Sequence, residues 1–297
     1  MPSTATWRRF FPYALVLPSI LVLISLIFYP LGFSLVNSFY FWNLQTSPVP
    51  LQFVGWQNYR LVFETTPFLP ALRNTLLLSI LGTFVQFWFG MGIALLLNAR
   101  LRGMNLVRAL LIMPTTVAPI IVGYLFRYMY YGGSGLISWL LTSSGFPVPA
   151  EGILGSSKLA LAAIGLADVW QWTPFCAIVL YAGLLAIPDE VIEAAKVDGA
   201  AGWRLFTGIL LPLSSRTAVI VLMIRFMQLF NMFDLVLVLT RGGPGTASRT
   251  LSFNLYQEGL VNYNIGISAA MTWMIVLIVS ILFNIYAAIA FRNWEWS

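Results

Sequence analysis

Several runs of more than twenty almost wholly apolar residues constrain this chain more than any other feature. The first, 13–36, carries no charge at all. A bilayer core is about 30 Å thick and a helix rises about 1.5 Å per residue, so such a run can cross as a single helix. Charged residues make up 9% of the 297-residue chain, against about 25% in a soluble domain. The deficit extends along the whole sequence, which predicts an all-α, polytopic integral membrane protein. The run at 13–36 is too long for the apolar core of a secretory signal, and no small-x-small cleavage site follows it. It is therefore expected to stay as an uncleaved span.

Six spans are expected, at about 13–36, 72–97, 108–130, 159–185, 209–239 and 267–291. Pro114 and Pro119 fall inside the third, where a kink or packed interface is expected. No repeat and no low-complexity linker divides the chain, so 1–297 is expected to be a single membrane domain. There is no His and one Cys, Cys176. This excludes a disulfide framework, the common Cys/His zinc sites and His-based catalysis. Neither a metal site nor a catalytic cluster is expected.

The net charge of +6 at first suggests nucleic acid. However, the basic residues lie at span ends, where they report topology rather than nucleic-acid binding. Six spans place both termini on one side. That side holds Arg8, Arg9, Arg100, Arg102, Arg108, Lys196, Arg204, Arg216 and Arg292, nine in all, against five on the other: Arg60, Arg73, Lys158, Arg241 and Arg249. The positive-inside rule then predicts cytoplasmic termini. The segment 193–212 between the fourth and fifth spans falls on the same side. Arg127 and Arg225 remain within spans.

That segment is polar and helix-prone. Glu193–Val197 favours a helix, Gly199 can take a left-handed conformation that ends it, and Trp203–Leu211 can form a second short helix before Pro212. Val197, Trp203, Leu205 and Phe206 are candidates to seat in a partner's groove, with Glu193, Lys196, Asp198 and Arg204 as rim ion pairs. Judged by physics alone, an ordinary amphipathic loop fits equally well.

The order Glu193-Ala194-Ala195, three residues, Gly199, nine residues, then Ile209-x-Leu211-Pro212 resembles the EAA loop of ATP-binding-cassette (ABC) importer permeases. The branch that transports carbohydrates, similar to the maltose and glycerol-phosphate systems, is resembled more widely. The matching residues are Phe53-Val54-Gly55 with Asn58-Tyr59, Trp172-Thr173-Pro174-Phe175, Ala182-Gly183-Leu184, Ile187-Pro188, Phe233-Asp234 and Leu239-Thr240-Arg241-Gly242-Gly243-Pro244.

The resemblance implies a type I importer fold in a prokaryotic cytoplasmic (inner) membrane. This chain would form half of a translocation path with a second permease subunit, usually a different chain. Two ATPase subunits would bind the ATP and Mg, and an extracytoplasmic binding protein would deliver sugar. The ATPase-coupling set would be Glu193, Ala194, Ala195, Asp198, Gly199, Trp203, Phe206, Leu211 and Pro212. The chain has no phosphate-binding GxxxxGK[ST] loop, so hydrolysis is expected elsewhere and this subunit is expected to be non-catalytic. An ion-gradient-driven secondary transporter or channel is the alternative. It explains the spans but not the 193–212 pattern.

Intramembrane polar residues are costly and so mark candidate function. In the fourth span Asp168, Gln171, Trp172 and Phe175 share one helical face, which offers an aromatic plane and hydrogen-bonding groups to a sugar. In the fifth, Arg225, Gln228, Asn231 and Asp234 form a broader polar band, with Asp234 better suited to helix packing. Asp168 has a plainer use, pairing with Arg225 or Arg127 to neutralise charge. Arg127 is expected to snorkel outward.

Overall fold

The computed structural model describes residues 4–99 and 103–290. Arg100, Arg102, Arg292 and the last residue of the expected sixth span lie outside the described residues. The elements in chain order are α1 (Thr4–Asn37), β1 (Tyr40–Phe41), β2 (Gln52–Phe53), α2 (Gln57–Thr65), α3 (Phe68–Asn98), α4 (Met104–Thr116), α5 (Pro119–Met129), α6 (Leu136–Ser143), α7 (Gly152–Gly155) and α8 (Ala160–Leu185). They continue with α9 (Asp189–Val197), α10 (Gly202–Leu205), α11 (Leu211–Leu213), α12 (Ser215–Phe230), α13 (Asp234–Leu239), α14 (Leu251–Tyr256) and α15 (Ile265–Ala290). Single π-helical turns occupy Phe206–Leu210 and Gln257–Val261. The fold is helical, with one two-residue hairpin pairing Tyr40 with Phe53. The described residues fall into two compact units. The first draws on 4–66 and 255–290, the second on described residues between Pro67 and Asn254.

Among the described residues, four helices are long and apolar enough to cross a membrane, or six if two bent pairs each count as one span. The expected spans at 13–36, 72–97, 159–185 and 267–291 fall on α1, α3, α8 and α15 to within a few residues. The other two need correction. The expected helix at 108–130 is α4 and α5, which meet at 94°. Val117 and Ala118 are extended at the break (ψ 132° and 137°). Pro119 forces this, because a proline ring excludes helical geometry from the preceding residue and suits the first turn of a new helix. The expected helix at 209–239 is broken twice. The chain bends by 71° between Gly202–Leu213 and Ser215–Phe230, and the helix stops at Phe230 and restarts at Asp234.

In the first unit α2 packs on α15. Gly55 turns with φ +56° so that the chain can pass from β2 into α2. Asn58 is buried and donates from Nδ2 to Ser38 O and Tyr40 O, both at 2.8 Å. The Tyr59 hydroxyl lies 2.9 Å from Ser38 Oγ. The Phe53–Tyr59 run is thus a local clasp of backbone-satisfying groups.

The second unit is built on α3, α8 and α12, which pack along one another. Close approach is possible because glycine sits at the crossings. A β-carbon on Gly90 would lie 2.8 Å from Cys176 Cβ and 3.1 Å from Ala177 N, and one on Gly183 would lie 2.7 Å from Thr217. The prediction is that Gly90→Val destabilises the purified protein by about 1–3 kcal/mol, the usual cost of overpacking. The outward-facing Gly92→Val, whose added atoms meet nothing, should be nearly neutral. Thermal unfolding in detergent measures both.

Candidate functional site: a buried ionic lock beside a polar cavity

Arg225 is among the largest fully buried side chains of the protein, at 1% exposure. An unpaired guanidinium there would be prohibitive, and its surroundings neutralise it completely. Nη2 donates to Asp168 Oδ2 at 2.7 Å. Nε donates to Gln86 Oε1 at 2.7 Å, and Gln86 Nε2 donates in turn to the same Asp168 oxygen at 2.6 Å. Nη1 donates to Gln228 Oε1, one helical turn along α12. The Trp172 ring covers the guanidinium plane, 5.0 Å from its carbon, in a cation–π contact. Three helices, α3, α8 and α12, are thereby joined at one point.

A cavity of about 200 Å³ opens against this lock. Asp168, Gln171, Trp172, Arg225, Gln228 and Asn231 line it, together with Asp234 and the start of α5 at Pro119. Six of the seven sequence-selected pathway residues therefore converge. The seventh, Phe175, does not line the cavity. It packs partly buried against the core of the unit, with its ring 6.2 Å from Trp172. Arg127 takes no part in the ionic lock. It donates to Val238 O at 3.1 Å, where α13 ends.

Gln171 has a structural duty as well. Its Nε2 donates to Val117 O at 2.8 Å, satisfying a carbonyl freed by the break between α4 and α5, while its buried Oε1 has no partner. The break after Phe230 is served similarly: Thr250 Oγ1 donates to Met232 O at 3.0 Å. Sequence reasoning missed Gln86 because α3 is apolar on average. Its signal is the run of small and polar residues at helical spacing, Ser79, Gly82, Thr83, Gln86 and Gly90, and the three polar ones among them are buried.

The second cluster is the segment after α8. Asp189 and Glu190 open α9 and Lys196 closes it, in accord with the helix dipole. Asp198 caps the helix. Gly199 then takes φ +82°, its N–H donates to Lys196 O at 3.0 Å and that of Ala200 donates to Ala195 O at 2.9 Å. This is the Schellman pattern that glycine suits. The segment has two sides. Glu193, Ala194, Asp198 and Pro212 are exposed, and so are Val197 (88%) and Trp203 (72%), large apolar surfaces left open. Ala195 and Phe206 point the other way and are buried. Phe206 and Leu210 join a core with Phe87 and Met91 of α3, Leu180 and Leu184 of α8, and Val221 of α12. Leu205 and Leu211 pack against that core half-buried. Sequence pattern suggested that Phe206 faces a partner, but its ring is spent inside this chain. Its aromatic residue type and spacing suit a core helix equally well.

The helical unit, with its glycine-turned segment between two packed helices, is matched by a family of membrane transport components. The chain belongs to the family of binding-protein-dependent transport system inner membrane components, whose model matches residues 86–295. It is 36% identical over 235 residues to the trehalose/maltose transport system permease protein MalF of Thermococcus litoralis, covering 78% of each chain. It is 32% identical over 286 residues to the sn-glycerol-3-phosphate transport system permease protein UgpA of Agrobacterium fabrum, covering 94% of each. In fold it resembles a chain of a bacterial ABC transporter involved in import of the acidic polysaccharide alginate, with a TM-score of 0.82, 21% identity and 98% and 99% coverage of the two chains.

The ionic lock generates a directional prediction. Arg225→Leu leaves Asp168 buried without its cation and should cost about 3–5 kcal/mol, whereas Arg225→Leu with Asp168→Leu should recover a large part of that loss. The double-mutant cycle, read by thermal unfolding in detergent, gives the coupling energy.

Proposed function

We propose that the chain is one of two permease subunits of an ATP-driven, binding-protein-dependent sugar importer in a prokaryotic cytoplasmic membrane. The observation that carries this reading is the segment Glu193–Pro212, exposed on one side through Val197 and Trp203 and anchored on the other through Phe206 and Leu210. It fits a coupling element. The exposed side would seat in a cleft of an ATPase subunit, with Glu193 forming an ion pair there and Gly199 holding the turn. Movement of the ATPase would then displace Phe206 and Leu210, and with them the helices they pack against.

In this reading the two bent pairs each count as one span, giving six spans and two cytoplasmic termini. The partners are a second permease subunit of different sequence, two ATPases that hold ATP and Mg, an extracytoplasmic sugar-binding protein and the surrounding lipid. This chain supplies no catalytic group. Asp168, Gln171, Trp172, Gln228 and Asn231 would border the path, and Arg225 would shape it. Support comes from relatives named as trehalose, trehalose/maltose and glycerol-phosphate permeases. A gradient-driven carrier gives no reason for the exposed Val197 and Trp203.

Reconstitution with the neighbouring gene products tests this reading. Sugar uptake should require ATP and the binding protein, and uptake driven by a proton or sodium gradient without any ATPase would refute it. Gly199→Pro removes the N–H that bonds Lys196 O and forbids the left-handed turn. Glu193→Lys reverses the exposed charge. Each should abolish ATPase docking, read by co-purification, and reduce uptake to background while leaving sugar binding by the isolated binding protein unchanged. Normal docking and uptake in both variants would remove the coupling role.

A further inference from the structure

The solute's charge is the point on which the relatives differ, since their names include neutral disaccharides and a phosphate ester. The cavity beside the ionic lock bears directly on it. We infer that this cavity admits an uncharged, hydroxyl-rich solute and rejects its anionic derivatives, an inference that rests on the permease reading above.

An anion needs an opposing charge, and the one cation on this wall is spent. The Arg225 guanidinium is 1% exposed, gives Nε to Gln86, Nη1 to Gln228 and Nη2 to Asp168, and has its face covered by Trp172. Its charge is cancelled by Asp168. The Gln171 amide nitrogen is committed to Val117 O, and that of Asn231 donates to Met227 O at 3.1 Å.

The cavity keeps acceptors. Gln171 Oε1 is buried and unpartnered. Asn231 keeps its amide oxygen, and no described residue pairs with the half-buried carboxylate of Asp234 on the same wall. Sugar hydroxyls donate readily to such oxygens. A phosphate or carboxylate offers only acceptors and a negative charge. It would meet the Asp234 carboxylate with the only lining cation, Arg225, already paired to Asp168, in a setting that screens charge poorly. Arg225 is therefore a structural cation, paired with Asp168.

Saturation-transfer NMR on the complete transporter in nanodiscs, without the binding protein, isolates the permease cavity. The probes are glucose, maltose and trehalose alongside phosphomonoesters of the same sugars. At least one neutral sugar should give a signal, and its phosphomonoester should give one about tenfold weaker or none. Asp234→Asn removes the uncompensated charge at a position with no partner to lose, and should narrow the ratio by about threefold. Equal or stronger signals from the phosphomonoesters, no signal from any neutral sugar, or an unmoved ratio in Asp234→Asn would overturn the inference. A transporter that couples uptake to ATP yet binds both probe classes equally would leave the permease reading standing and remove only this one. Failure of ATP-dependent uptake would remove the reading beneath it.

Discussion

The bond between Arg225 and Asp168 is the constraint to which the second unit conforms. A full charge within an apolar helix bundle is tolerated only when opposed and hydrogen-bonded, because desolvation of each ion otherwise costs several kcal/mol. One carboxylate oxygen receives both Arg225 and Gln86, and Gln86 also accepts from Arg225. This closed triangle fixes the rotation of α3, α8 and α12 about their own axes, since each must turn one polar side chain to the same point. The glycines at the crossings follow from it. Gly90 and Gly183 permit approach at a distance where even a β-carbon would collide, and the triangle holds only if the helices come that close.

Breaks in the apolar helices follow the same accounting of polar groups. A carbonyl released from a helix inside a bilayer has no water to accept from, so irregular backbone survives only where protein satisfies it. Gln171 serves Val117, Thr250 serves Met232 and Arg127 serves Val238. Two of these breaks border the polar cavity, and their short unwound stretches bring Asn231 and Asp234 to its wall. The cavity is thus a consequence of the breaks. A continuous helix through Asn231–Phe233 would turn these residues around its axis by about 100° per position, spreading them over several faces.

The sequence made much of this legible, and its failures have physical reasons. Long uncharged runs identify α1, α3, α8 and α15, because span length is set by bilayer thickness. Apolar composition says nothing about continuity, so α4–α5 and α12–α13 look like single spans. Pro119 signals the first break, while the second, through Asn231-Met232-Phe233, has no proline or glycine to announce it. Helical spacing correctly grouped Asp168, Gln171 and Trp172. It could not separate Phe175, which lies on the same face one turn further on, because only the packing partner decides whether an aromatic ring lines a cavity or a core. Phe206 escaped for the same reason. Gln86 escaped because its partner lies 82 residues away, and the small and polar stripe that carries it is diluted by the apolar average of α3.

The segment after α8 and the ionic lock share their rigid parts. Phe206 and Leu210 press on Leu180 and Leu184 of α8 and on Val221 of α12, and those helices carry Asp168 and Arg225. Val221 and Arg225 are four residues apart, about 6 Å along α12. Leu184 and Asp168 are sixteen residues apart, about 24 Å along α8. In the coupling role proposed for this segment, a displacement delivered at Phe206 would reach the lock by a short arm on one helix and a long arm on the other. The lock resists shear between these arms because its bonds are short and charge-assisted. Helices tied at the polar centre and driven at one end tend to rotate about the tie rather than slide past one another. Residues beside the tie, Gln171 and Trp172 on α8 and Gln228 on α12, then change their mutual orientation while Arg225 and Asp168 stay paired. Under that proposal the buried charges would act as the pivot, and the uncharged polar groups around them would be the parts that move.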